Sequence, residues 1–263
     1  MTSIFDIEVR INYEREFYKM LNYFHYERYT TVVMGEYYTL IDGINEYGFQ
    51  KWPYRGTAIN CEEYLENIGL PEYIFRNQEG LNKEHFLYYI EFIYNIINFC
   101  IDNNYISIKS QIIKTMIENI TIIVEKLNYK FELSEDRHLL VKRDADVDSI
   151  ISVVDKDIAF FLLEYNDFKI KNNLQRKNEI LKSIDKYIEK HKSEYSNIDK
   201  DSYKSWGYIV NNFGINHKIN DKFKELSDEE ILHWYDKAFM LCIHIIRLNE
   251  TKKINNERKQ LEF

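Results

Sequence analysis

The sequence predicts a mainly α-helical protein of two packed helical subdomains, and three observations carry that expectation. The chain has 263 residues but only 8 glycines and 2 prolines, so tight turns and helix breakers are few. Apolar residues make up 45% of it and recur at three-and-four spacing along most of its length, which is the signature of helices with one buried face. One stretch, residues 129–143, alternates apolar and polar positions instead and reads as a single β-hairpin. The hairpin is the best place for a boundary, giving an N-terminal helical domain 1–128 and a C-terminal helical domain 129–263.

The elements follow in order. Tyr13, Phe17, Leu21 and Phe24 form a first helical stripe, and Val33, Tyr37, Leu40, Ile41 and Ile44 a second. The link Trp52-Pro53-Tyr54-Arg55-Gly56 interrupts them, and a short helix follows with Asn60 as N-cap and Glu63 in the reciprocal capping position. Phe86, Ile90, Ile93, Ile97 and Cys100 mark a long buried helix, and Ile113, Met116, Ile120, Ile123 and Leu127 another. In the hairpin, Tyr129, Phe131 and Leu133 alternate, Ser134-Glu135-Asp136-Arg137 turns, and Leu139-Leu140-Val141 returns. Val147, Ile151, Val154, Ile158, Phe161, Tyr165 and Phe168 read as one continuous helical stripe. Leu181, Ile184 and Ile188 carry a more charged helix, and Trp206, Ile209 and Val210 a shorter one. The last helix opens at Ser227 with Glu230 reaching back, and it is apolar on two faces. Such a helix must be covered on both sides, by the other half of the chain or by a second copy, and the charged tail beyond Lys252 is expected to fray.

Composition narrows the function classes. The formal net charge is -8, which argues against one broad nucleic-acid surface but leaves room for a local basic groove. The three cysteines Cys61, Cys100 and Cys242 have neither a disulfide framework nor zinc spacing, so a reducing cytoplasm is expected. The N-terminus carries acids where a signal peptide needs bases, and the most apolar run, Phe86 to Ile101, is too short and too polar to cross a bilayer. There is no Walker lysine loop, dinucleotide glycine fingerprint or nucleophile elbow, so no cofactor is expected. Asp144-Ala145-Asp146-Val147-Asp148 superficially suits calcium. Ser149 and Asp155 stand where an EF-hand loop needs glycine and glutamate, and acids opening a helix suit its dipole, so no metal is expected. His233 and His244 share a helix face but lie three turns apart, too far for one metal, and are expected in the core or an interface.

Near the C-terminus a histidine sits in a polar loop, Asn211-Asn212-Phe213-Gly214-Ile215-Asn216-His217, ahead of the capped apolar helix with Trp234-Tyr235-Asp236. With the hairpin, the helix end Leu163-Glu164-Tyr165-Asn166, and Arg176-Lys177 ahead of Ile180-Leu181, this segment resembles the abortive-infection branch of the HEPN superfamily. The resemblance runs from about Lys130 to Asn249, under half of the chain. It implies a HEPN-like helical bundle, a cytoplasmic homodimer in antiviral defence, and a metal-independent endoribonuclease in which an arginine steadies the scissile phosphate and a histidine assists the 2′-hydroxyl. No arginine here has a histidine four to six residues later; Asn211 and Asn212 occupy the expected place. The catalytic set the resemblance implies is therefore His217 as base, with Asn212, Asn216, Arg176 and Glu164 supporting. A non-catalytic protein of the same fold, binding a partner protein or a nucleotide signal, is the alternative, and a structural toxin-neutralising partner a third reading.

Two further groups are candidates for binding. Lys182, Lys186 and Lys190 fall at four-residue spacing, with Lys169, Lys171, Arg176 and Lys177 just upstream, and could receive an RNA backbone, although Glu179, Asp185 and Glu189 interrupt the row and favour a solvated face with local ion pairs. Trp52, Tyr54 and Arg55 could line a nucleotide pocket by stacking, or simply plug aromatic rings into the core.

Overall fold

A computed structural model describes residues 11–26, 28–30, 37–70, 81–106, 111–134 and 136–261. The described chain is mainly helical and divides into two compact units, Met1–Leu140 and Val141–Phe263. The division falls inside the second strand of the hairpin rather than before its first strand.

In the first unit, helix α1 (Tyr13–Leu21) starts at Asn12, whose side chain accepts the Arg15 N–H at 2.9 Å, and it runs into one wider turn, Asn22–Tyr26. Phe17, Leu21 and Phe24 are buried as the stripe predicts. The second expected stripe is different. Val33 lies outside the described residues, and Tyr37 belongs to a strand: β1 (Arg28–Thr30) pairs antiparallel with β2 (Tyr37–Thr39), Tyr29 opposite Tyr38. Aromatic and β-branched residues favour a strand there. Thr39 then caps α2 (Leu40–Tyr47) in a reciprocal capping box with Asp42, which sets the helix start at Leu40, beyond Tyr37. Asn60 caps α3 (Cys61–Asn67), but Glu63 reaches the N–H of Ile59 at 2.8 Å, not that of Asn60. The 20-residue α4 (Lys83–Asp102) buries Phe86, Tyr89, Ile90, Ile93, Ile96, Ile97 and Cys100, and α5 (Gln111–Lys126) buries Ile113, Met116, Ile120 and Ile123. The hairpin strands are β3 (Tyr129–Ser134) and β4 (Arg137–Lys142). Tyr94 stacks on Phe131 at 3.7 Å between ring centroids. The Asn95 amide donates to the His138 carbonyl at 2.8 Å and accepts its N–H at 2.7 Å, pairing with the strand backbone as a neighbouring strand would.

Two predictions arise in this unit. A Cβ on Gly48 would collide with the buried Cys100 Sγ, so Gly48→Ala is expected to cost about 1–3 kcal/mol in urea unfolding, and Cys100→Ala in the same chain to recover most of it. Burial also pushes the His25 imidazole from 6.5 down to about 4, against an opposing effect of Asp42. The unfolded chain therefore binds this proton at higher pH than the folded one does, and stability is lost as pH falls from 6.5 towards 4. Between pH 7 and pH 5 the expected loss is about 2 kcal/mol, and His25→Gln should flatten that part of the profile.

In the second unit the single stripe expected from Val147 to Phe168 is two helices, α6 (Ala145–Ile150) and α7 (Lys156–Tyr165), with a turn at Phe168–Ile170. Asp155 and Asp157 open the second helix at its positive end, and Val153 between the two is exposed. Asp144 caps α6 by accepting the N–H groups of Asp146 and Val147, and Asp146 pairs with Arg247, which accounts for the acidic run. Among the described residues no three His, Cys, Asp or Glu side chains are grouped to hold a metal ion. Next come α8 (Leu174–Lys190), the short α9 (Lys192–Tyr195) and α10 (Lys200–Asn212). The last helix, α11, runs Asp228–Leu261. Its capping box forms as predicted, the Glu230 carboxylate accepting the Ser227 N–H at 2.8 Å. Within its own unit, its apolar residues pack against α6, α8, α9 and α10. The segment beyond Lys252 is helical to Leu261, with every side chain from Thr251 exposed, rather than frayed. His233 and His244 are exposed rather than in the core, and His244 lies 3.5 Å from Asp199. No described helix is long and apolar enough to cross a membrane.

Candidate functional site

The loop after α10 is held from three sides. Within it, the Asn216 N–H donates to the Val210 carbonyl at 3.0 Å, and Asn220 closes back on Asn212 through backbone (3.0 Å) and side chain (2.9 Å). Gly214 has φ +81, a left-handed conformation, and a Cβ there would meet Ile219 at 2.9 Å. From α11, Phe213 is buried in a stack between Phe223 (4.7 Å) and Trp234 (4.6 Å), and the Tyr235 hydroxyl donates to the Phe213 carbonyl at 3.0 Å. From α8, the Asn178 amide donates to the Gly214 carbonyl at 2.8 Å and to the Tyr235 oxygen at 2.6 Å.

A second hold from α8 is a buried carboxylate. Asp185 of α8 is 5% exposed and accepts the Trp206 indole N–H at 2.9 Å and the Asn216 amide at 2.6 Å. Asn216 is thus occupied in tying the loop down. Asn212 is likewise occupied, with the Tyr208 carbonyl and Asn220. His217, the next residue after Asn216, is exposed and makes no hydrogen bond or ion pair among the described residues.

Arg176 and Glu164 are brought together, but with each other. The guanidinium makes two parallel bonds to the Glu164 carboxylate, at 2.7 and 2.8 Å, and a third to Glu179 at 2.9 Å. The bond to Glu164 is the largest of the effects that raise the arginine's pKa further. Both carboxylate oxygens of Glu164 face Arg176, so Glu164 does not orient His217. One residue along, Lys177 donates to Asp236 at 2.6 Å, the Tyr165 hydroxyl donates to the same oxygen at 2.9 Å, and the ammonium lies 4.6 Å from the Tyr165 ring centre. Tyr165 in turn stacks on Phe239 at 3.9 Å. The sequence fragments Glu164-Tyr165, Arg176-Lys177 and Tyr235-Asp236 therefore meet around the first turns of α8.

The charged face of α8 carries local ion pairs, as expected, at Arg176–Glu179 and Glu189–Lys192, but among the described residues none within 4 Å to Lys182, Lys186 or Lys190. Glu179 is taken by Arg176 and Gln175, Asp185 turns inward to Trp206 and Asn216, and Glu189 accepts from Tyr203 at 2.8 Å and pairs with Lys192. Hydrogen bonds from Arg176 and Gln175 hold the Glu179 carboxyl below its ordinary range, with Lys182 a lesser contributor. Lys182, Lys186 and Lys190 are exposed and make no ion pair or hydrogen bond among the described residues. Their four-residue spacing sets them along one side of the helix with a rise of about 6 Å per step. The excess negative charge is elsewhere: residues 1–140 hold 13 basic and 21 acidic side chains, and residues 141–263 hold 22 of each.

In the first unit, Trp52 is buried against Tyr64 (5.0 Å) and Phe92 (5.7 Å), and Arg55 donates to the carbonyls of Gln50 and Ala58. Tyr54 is half-buried, with the Arg137 guanidinium 5.4 Å from its ring centre. The loop is a plug with an internal arginine clasp. The three cysteines are buried, and burial pushes their thiols up, Cys100 to about 12, which makes them poor nucleophiles.

In the sequence Asp185 and Trp206 carry only a charge-row and a helix-stripe reading, and Asn178 and Lys218 carry no signal at all. Asp185 looks like one more acid interrupting a lysine row, and only its fully apolar neighbours Leu181, Ile184 and Ile188 hint that it turns inward. No protein-family model matches this chain, and no curated protein or solved structure matches it significantly.

Proposed function

We propose that this protein binds RNA through the phosphodiester backbone, on the face of α8 carrying Lys182, Lys186 and Lys190, without cutting it. One observation carries the reading: Glu179 ahead of those lysines and Asp185 and Glu189 among them each have another hydrogen-bond partner, so three exposed ammonium groups stand in a row with no carboxylate bonded to them among the described residues. Such a row attracts a polyanion and releases its counterions. The even charge balance of 141–263 removes the objection that the acidic chain as a whole raises. An abortive-infection role in the cytoplasm, implied by the HEPN resemblance, is the setting this reading fits. One chain carries the whole row, so a homodimer or a partner protein of a defence system would add avidity rather than complete the site.

The endonuclease reading is the weaker one. Transition-state charge on a phosphate needs a positioned cation, and this is commonly the largest catalytic contribution. Arg176 is committed to Glu164 and Glu179, and His217 has no charged partner among the described residues. Recognition of a nucleotide at Trp52, Tyr54 and Arg55 is disfavoured because the indole is buried and the guanidinium is spent on carbonyls.

The test is incubation of labelled single-stranded RNA with wild-type protein and with His217→Ala, without metal, read for both anisotropy and integrity. Binding by both with intact RNA supports the proposal. Cleavage by wild type that His217→Ala abolishes replaces it with the nuclease, and absence of binding removes it.

A further inference from the structure

We infer that the docking surface is composite: the loop residues His217 and Lys218 extend the lysine row of α8, and the buried Asp185 is the positioning residue that joins them. This rests on the RNA-docking reading and adds where the surface runs and what holds it together. Asp185 lies between Lys182 and Lys186 on α8, and its carboxylate holds Asn216 at 2.6 Å. The two residues that follow, His217 and Lys218, are exposed and make no ion pair or hydrogen bond among the described residues. A loop 31 positions away in sequence is thereby tied to the stretch of helix that carries the exposed lysines. The same carboxylate takes the Trp206 indole N–H at 2.9 Å, and the Asn216 N–H is held by Val210 at 3.0 Å, so α8, α10 and the loop close on one point. A buried carboxylate without a cation is costly, and its hydrogen bonds must hold it. Those bonds come from the groups that fix the loop.

The sign of one substitution separates this role from a bystander charge. By Coulomb's law, removing a carboxylate near bound phosphates tightens binding. If Asp185 positions the loop, removing it frees His217 and Lys218 and weakens binding. With a fluorescein-labelled oligouridylate and the full chain, Asp185→Ala is expected to raise Kd roughly three- to ten-fold. Asn216→Ala changes no charge and leaves Asp185 bonded to Trp206, and it should weaken binding similarly even if Asp185→Ala fails to fold. Asp185→Asn keeps an acceptor for Trp206 and a polar partner for a turned Asn216 amide, so it should bind as wild type or tighter. Lys218→Gln should reduce the slope of log K against log salt by about 0.7, one phosphate contact on a single strand. Amide hydrogen exchange over residues 213–217 should quicken in Asp185→Ala and Asn216→Ala but not in Asp185→Asn. Wild-type protein that binds no RNA overturns the docking reading and this surface with it. RNA that binds wild type but responds neither to Asn216→Ala nor to Lys218→Gln overturns the composite surface alone, and tighter binding by Asp185→Ala overturns the positioning role.

Discussion

Asp236→Ala is expected to destabilise the fold by about 3–5 kcal/mol, and Lys177→Met by only about 1 kcal/mol, although each removes one partner of the same ion pair. The asymmetry follows from where the two charges sit. The Lys177 side chain is 6% exposed, whereas that of Asp236 is 53% exposed. Deleting Asp236 leaves an ammonium inside the protein, and the contact with the Tyr165 ring 4.6 Å away, already made in the wild type, does not replace the lost carboxylate. It also strips the Tyr165 hydroxyl of its acceptor, and burial together with Asp236 already holds that phenol far towards its neutral form. Deleting Lys177 instead leaves a carboxylate that water reaches and that keeps its bond from Tyr165, while a methionine refills the volume of the lysine stem. Urea unfolding of the full chain, with each variant and the double variant, measures both losses and their coupling. Equal losses, or a larger loss from Lys177→Met, would contradict the burial argument.

This cluster shows what the sequence made legible and what it did not. The helices of the second unit follow from three-and-four spacing, and the start of α11 from Ser227 and Glu230, because those signals are local and their physics is complete within one turn. The break after Ile150 was not legible, because apolar residues continue through Ile151, Val153 and Val154 and only the acids at 155 and 157 mark a new start. The spacing of Tyr37 suits a helix, yet Thr39 caps α2 beyond it. At the site, Glu164, Arg176, Asn216 and His217 were named from sequence, but their partners were not. Glu164 and Arg176 pair twelve residues apart, and Asn216 meets Asp185 across 31. Spacing along a chain says which side chains share a helix face. It does not say which way a polar side chain on the edge of that face will turn, and that turn decides whether Asp185 neutralises a lysine or braces a loop.

The largest expected effect on binding concerns the lysine row. Three phosphate contacts on a single strand predict a slope of log K against log salt near about −2, so raising salt from about 50 to 200 mM should weaken binding about 20-fold. The variant with Lys182, Lys186 and Lys190 all replaced by Gln should lose most of that slope. Replacing three other exposed lysines, Lys156, Lys200 and Lys252, removes the same formal charge from the same unit and should leave the slope nearly unchanged. That control separates an ordered row from net charge, since both variants lower the overall charge equally. The rise of about 6 Å between successive lysines is comparable to the step between neighbouring phosphates of one strand, so contact by one lysine places the next phosphate near the second. Fold stability should be the same in both variants, because none of the six ammonium groups makes an ion pair or hydrogen bond among the described residues. A similar slope loss in the control and in the row variant would mean that RNA senses only the general field of residues 141–263, and the row would have no special role.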